Sequence, residues 1–130
     1  VKLWKLMVPL AVPIIFFIVY SNFVNRDDKK ILFETYEEDC VKGQIASCME
    51  LASAYMNGTG TKRNVDEAVA IYERLCGRNA FEACAVLAGL YRNGHGVEKN
   101  VKKAAELYGR ACKGGLRMSC HELKDLLDDM

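Results

Sequence analysis

Six cysteines are the residues of this chain whose type and spacing carry chemistry. They stand at Cys40, Cys48, Cys76, Cys84, Cys112 and Cys120, each pair eight residues apart and successive pairs 36 apart. Cysteine offers cross-linking, metal binding or redox catalysis. Zinc and redox sites of the ordinary kind want C-x-x-C, which does not occur, and only His95 and His121 could add imidazole. Cross-linking is left. Eight residues of continuous helix separate Cα atoms by about 12 Å, beyond the ~7 Å a disulfide tolerates. Each pair must therefore straddle a turn, and Gly43, Gly77 and Gly114-Gly115 follow the first cysteine of each pair. The predicted bridges are Cys40–Cys48, Cys76–Cys84 and Cys112–Cys120. The other register, Cys48–Cys76 with Cys84–Cys112, strands Cys40 and Cys120.

Other reactive residue types form weaker patterns. Acylation by serine needs a base, as in S-x-x-K. Of Ser21, Ser47, Ser53 and Ser119, none has Lys three residues on. Glu34 with Glu38, and Asp125 with Asp129, read as solvated helix faces rather than acid/base pairs. His95 lies between glycines in a loop, and His121 follows a bridging cysteine, where a structural role is expected. Charge is unevenly spread. Residues 27–50 hold seven acids against three bases, whereas 92–117 hold seven bases against Glu98 and Glu106. Opposite poles suit a zwitterionic or peptide ligand. Arg92, Arg110 and Arg117 are the candidates to hold its carboxylates.

The elements that position these residues are repeated. Laying 37–72 on 73–108 matches 13 of 36 positions, including Leu51/Leu87, Ala52/Ala88, Tyr55/Tyr91, Gly58/Gly94, Gly60/Gly96, Asn64/Asn100, Ala68/Ala104 and Tyr72/Tyr108. Average usage would match roughly two or three. A period of this size indicates a solenoid. Cys84, Leu87, Ala88 and Tyr91 fall at i, i+3, i+4, i+7, and Val101, Ala104, Ala105 and Tyr108 likewise, so both segments are helical. Helix A is expected at 44–56, 80–92 and 116–129, and helix B at 28–41, 64–76 and 100–112, with Asn64 and Asn100 as N-caps. Leu51, Leu87, Tyr55 and Tyr91 are expected inside the stack. The fold class is all-α, a short α/α solenoid.

The repeat resembles the Sel-1-like repeat, a relative of the tetratricopeptide repeat. The residues are Cys84-x-x-Leu87-x-x-x-Tyr91-x-x-Gly94-x-Gly96-Val97, then Lys103-Ala104-x-x-x-Tyr108-x-x-Ala111-Cys112-x-x-Gly115. The paired cysteines narrow the likeness to the Helicobacter cysteine-rich protein family. Thr61 departs from it where the second repeat has Val97, and the last repeat stops after helix A. The resemblance implies penicillin binding and slow β-lactamase activity, and a concave groove of A helices that takes extended peptides.

Residues 1–21 read as a signal peptide or membrane anchor. Lys2 and Lys5 precede an uncharged run from Leu6 to Asn25, about 30 Å as a helix. Residues 22–27 read as a linker, and 28–130 as the repeat domain. Removing 1–21 leaves 16 basic and 17 acidic residues and all six cysteines. An oxidising compartment follows, with the chain secreted or periplasmic, or anchored in the cytoplasmic membrane facing outward. The whole chain of 130 residues has a net charge of +1, which argues against nucleic acid as a partner, and 51% hydrophobic residues, which exclude a wholly disordered chain. The expected function is binding of a peptide, protein or cell-wall-type ligand, β-lactams included, with no metal or cofactor. A weak β-lactamase and a membrane-anchored adaptor are the alternatives, and the membrane is a partner only if 1–21 is retained.

Overall fold

The computed structural model describes the backbone of residues 3–130, and side chains from Val12 onward except that of Val24. Six helices follow one another: α1 (Leu3–Val41), α2 (Ile45–Asn57), α3 (Val65–Gly77), α4 (Phe81–Asn93), α5 (Val101–Lys113) and α6 (Arg117–Asp128). The described residues form no strand. Each helix packs chiefly on its neighbours in sequence, so the chain is a row of helical hairpins. In repeat terms α1, α3 and α5 are B helices, and α2, α4 and α6 are A helices.

Small residues set the spacing of the row. Ala52, Ala68, Ala83, Cys84, Ala88, Ala104 and Ala111 are completely buried, which brings the helix backbones close. Ile71, Tyr72, Leu75, Leu87, Leu107 and Tyr108 fill the wider gaps. The connections come in two kinds. Each A-to-B loop begins at a left-handed glycine, Gly58 or Gly94, and carries a second, Gly60 or Gly96. Gly60 faces the Lys29 carbonyl of α1, and Gly96 faces Val65 of α3, in each case too closely for a Cβ. These loops therefore fold back onto the preceding B helix. The loop then closes by a bond from Asn64 N to the Tyr55 carbonyl, or from Asn100 N to that of Tyr91, both 2.8 Å.

Both asparagines cap the next helix, as their position predicts. The Asn64 side chain accepts from Glu67 N at 3.2 Å, and that of Asn100 from Lys103 N at 3.0 Å. Replacing either, Asn64→Ala or Asn100→Ala, should cost about 1 kcal/mol in urea unfolding.

The B-to-A turns carry the disulfides. Cys40–Cys48, Cys76–Cys84 and Cys112–Cys120 are bridged, with Cα atoms 4.6, 4.7 and 4.7 Å apart. The residue with positive φ in these turns is Gly43, Asn79 and Gly115. The middle turn thus differs from expectation. Gly77 ends inside α3, and Asn79 takes the left-handed position, which asparagine tolerates better than other residues with a side chain.

Two further expectations change. Residues 22–27, read as a linker, are helical within α1, and the helix expected from 28 begins at Leu3. Nothing in 22–27 is a glycine or proline that would end it. Phe16, Phe17 and the other large apolar residues described in 12–23 are more than half exposed. The expected signal peptide or anchor, 1–21, lies in large part outside the residues whose side chains are described. Among the described residues no helix is long and apolar enough to cross a membrane.

Candidate functional site

The tyrosines expected inside the stack stand at its rim. Leu51 and Leu87 are buried, but Tyr55 and Tyr91 are half-buried. Their rings pack inward and their hydroxyls emerge. Tyr55 Oη donates to Glu37 and Tyr91 Oη to Glu73, both at 3.2 Å, tying each A helix to the B helix before it. The Tyr55 ring meets Phe33 edge-on at 5.2 Å. Burial, then the Glu37 carboxylate, pushes the Tyr55 phenol above its usual range. Lys103 joins the second pair, with Nζ 4.5 Å from the Tyr91 ring centre and 4.0 Å from the Glu73 carboxylate. Tyr91, and after it Glu73, holds the Lys103 pKa above the ordinary lysine value. Sequence reasoning missed these braces, although Glu37/Glu73 are identical one repeat apart.

The three candidate arginines are not gathered into one pocket. Arg92, at the end of α4, is ion-paired with Glu122 of α6. The Tyr108 hydroxyl and Glu122 both raise its pKa. Arg92 also lines a recess of about 420 Å³ with Lys99, Val101 and Leu126. Arg110 donates to the Cys76 carbonyl at 2.9 Å and so braces α5 against the end of α3. Arg117 stands exposed in the first turn of α6, beside a shallow recess shared with Glu82, Leu116 and Met118. Two of the three are thus engaged by the fold itself.

The remaining candidates are dispersed. Glu38 pairs with Lys42, and Glu34 with Lys30, as solvated helix faces do. His95 and His121 are exposed on different elements, His121 despite the structural role expected of it. Ser119 is buried, and Ser53 accepts only a long bond from Asn57, 3.4 Å. Among the described residues no side-chain hydrogen bond joins a serine to a lysine or histidine. The described residues bring no three His, Cys, Asp or Glu side chains into a metal-binding group.

The basic segment leaves several of its cations open. Lys99, Lys102, Lys113 and Arg117 are exposed, and none pairs with a carboxylate among the described residues.

Comparison with known proteins agrees with this architecture. A family model described as the Sel1 repeat matches residues 45–78 and 81–116. No curated protein matches the sequence. Among solved structures the chain is similar to Helicobacter pylori cysteine rich protein B, at 30% identity and a TM-score of 0.67, over 73% of this chain and 71% of that one. A Sel1 repeat protein from Oxalobacter formigenes is similar at 22% identity and a TM-score of 0.68, over 73% of this chain and 39% of that one. A protective antigen of uropathogenic Escherichia coli with an SLR fold gives 23%, 0.68, 75% and 21%. The chain thus spans about two fifths of the Oxalobacter protein and a fifth of the E. coli antigen. Two matched repeats, joined by the turn that carries Cys76–Cys84, place the chain in the Sel1 repeat family.

Proposed function

We propose that this chain is a binding module for protein or peptide partners that works outside the reducing cytoplasm. Three disulfides, one per hairpin, favour an oxidising compartment, secreted or periplasmic. The exposed apolar stretch of α1 supports delivery there, as a signal segment or an outward-facing anchor.

The observation that carries the binding reading is the open basic segment. Lys99, Lys102, Lys113 and Arg117 are exposed, and among the described residues none has a carboxylate partner. A helical row that presents a run of exposed cations suits carboxylate-rich ligands, such as an acidic peptide or a cell-wall peptide. Arg117 is the candidate for direct contact, since Arg92 and Arg110 already serve the fold.

The test is made on oxidised, folded protein. Calorimetric titration with an acidic peptide should show binding that weakens with salt, and that Lys113→Glu with Arg117→Glu weakens about tenfold or more. Turnover of penicillin and of a chromogenic cephalosporin is measured on the same preparation. Turnover above ~1 per second, near the lower edge of ordinary enzymes, would overturn the binding-only reading.

A further inference from the structure

The two hairpins that meet the B helices α3 and α5 are built alike but finished differently. At the second, Arg110 covers the Cys76 carbonyl at 2.9 Å. Phe81, from the first turn of α4, lies so close against Gly114 that a Cβ there would collide with its ring. The ring and the guanidinium close the corner beside the Cys76–Cys84 bridge. One repeat earlier the same positions are Arg74, Cys40, Ile45 and Arg78. Ile45 is shorter than Phe81 and is 44% exposed. Arg78 stands where Gly114 would receive the ring. Arg74 donates no hydrogen bond to Cys40, and neither arginine pairs with a carboxylate among the described residues. A cavity of about 290 Å³ opens there, lined by Cys40, Cys48, Ile71, Arg74, Leu75 and Arg78.

Its chemistry is divided. Cys48, Ile71 and Leu75, each at most 5% exposed, form an apolar floor. Arg74, in the last turn of α3, and Arg78, at its C-cap, both line the cavity, and both residues are exposed. No acidic residue lines the cavity. Two planar guanidiniums suit a carboxylate, which each can hold through paired N–H bonds. A free inorganic anion would leave the apolar floor unused. The volume is at the small end for ligand sites, enough for a single residue.

We propose that this cavity takes the C-terminal residue of a peptide or protein. The α-carboxylate lies on Arg74 and Arg78, and an apolar side chain rests on Ile71, Leu75 and the Cys40–Cys48 bridge. The proposal rests on reading the chain as a protein-binding module, but the cavity is separate from the basic segment at 99–117.

The probes are acetylated tetrapeptides of three glycines ending in leucine or phenylalanine, each as free acid and as C-terminal amide. They are titrated into the full, oxidised chain. The free acids should bind and the amides lose at least about tenfold in affinity. Arg74→Met with Arg78→Met should produce a similar loss while leaving the thermal midpoint unchanged. Ile45→Phe with Arg78→Gly, which copies the closed corner of the next repeat, should abolish binding without lowering stability. Lys124→Glu, an exposed position on α6 away from the cavity, should leave these affinities unchanged. Equal binding of acid and amide, no free-acid binding at millimolar concentration, or affinity indifferent to the arginine pair would overturn the pocket. Loss of acidic-peptide binding at 99–117 is a separate result, and it bears on the broader reading alone.

Discussion

Reduction of the three disulfides is expected to unfold this domain near body temperature. Each bridge closes a loop of eight residues. In the chain-entropy account such a loop contributes about 2.5 kcal/mol, and three contribute on the order of 7. The whole stability of a small domain is ~5–15 kcal/mol. The row holds only two matched repeats, where solenoids usually need at least three to bury a continuous core. Local cross-links offset what further repeats would add. Cys76 and Cys84 are at most 1% exposed, so removing that pair also empties space in the core. Helical signal is followed against temperature for the oxidised protein, the protein reduced in denaturant and refolded, and the Cys76→Ala, Cys84→Ala pair. The reduced chain should lose its cooperative transition, and the double variant should melt well below the native protein. A reduced protein that kept its helicity and midpoint would show that packing alone holds the stack.

The fold was legible because its rules are local and repeated. Eight-residue cysteine spacing across a turn admits few pairings, and the i, i+3, i+4, i+7 pattern at Cys84, Leu87, Ala88 and Tyr91 marks a buried stripe. Asn64 and Asn100 announce helix starts through their own side chains. What escaped the sequence depends on partners far along the chain. Arg92 meets Glu122 thirty residues on, and Arg110 reaches a carbonyl 34 residues back. A local pattern marks such cations as charged, not as engaged. Their stripe places Tyr55 and Tyr91 in the core, yet a tyrosine near a helix end can bury its ring and leave its hydroxyl at the rim. Helix B is expected from 28, whereas α1 runs on through 22–27, where no glycine or proline interrupts it.

The candidate site was legible in charge but not in shape. The basic character of 92–117 is plain from composition, and Arg117 within it stays open. The cavity at Arg74 and Arg78 is hidden in the sequence, because a basic residue in the last turn of α3 and another at its C-cap are ordinary at a helix end. The signal that finds it is a difference between repeats rather than a likeness. Ile45 stands in the place of Phe81 and Arg78 in the place of Gly114, and a cavity lined by Arg78 opens where the next repeat packs Phe81 on Gly114.

Leu87→Ala is expected to be the most damaging single substitution of an ordinary core residue. Leu87 lies mid-way along α4 and is 2% exposed, flanked by Ala83, Cys84 and Ala88, which are fully buried. Those neighbours are already small and cannot swing in to fill the space. The cavity should therefore persist, and the cost should be ~2–5 kcal/mol. Leu51→Ala, at the equivalent place in α2 but 7% exposed, should cost less. Tyr91→Phe keeps its ring and loses only a bond to Glu73 on an exposed rim, so about 1 kcal/mol is expected. In urea the midpoints should fall in that order with the slope unchanged, because all three variants bury nearly the same surface. A loss below about half a kcal/mol for Leu87→Ala, within the range of surface changes, would mean that the stripe carrying it is not the core of the row.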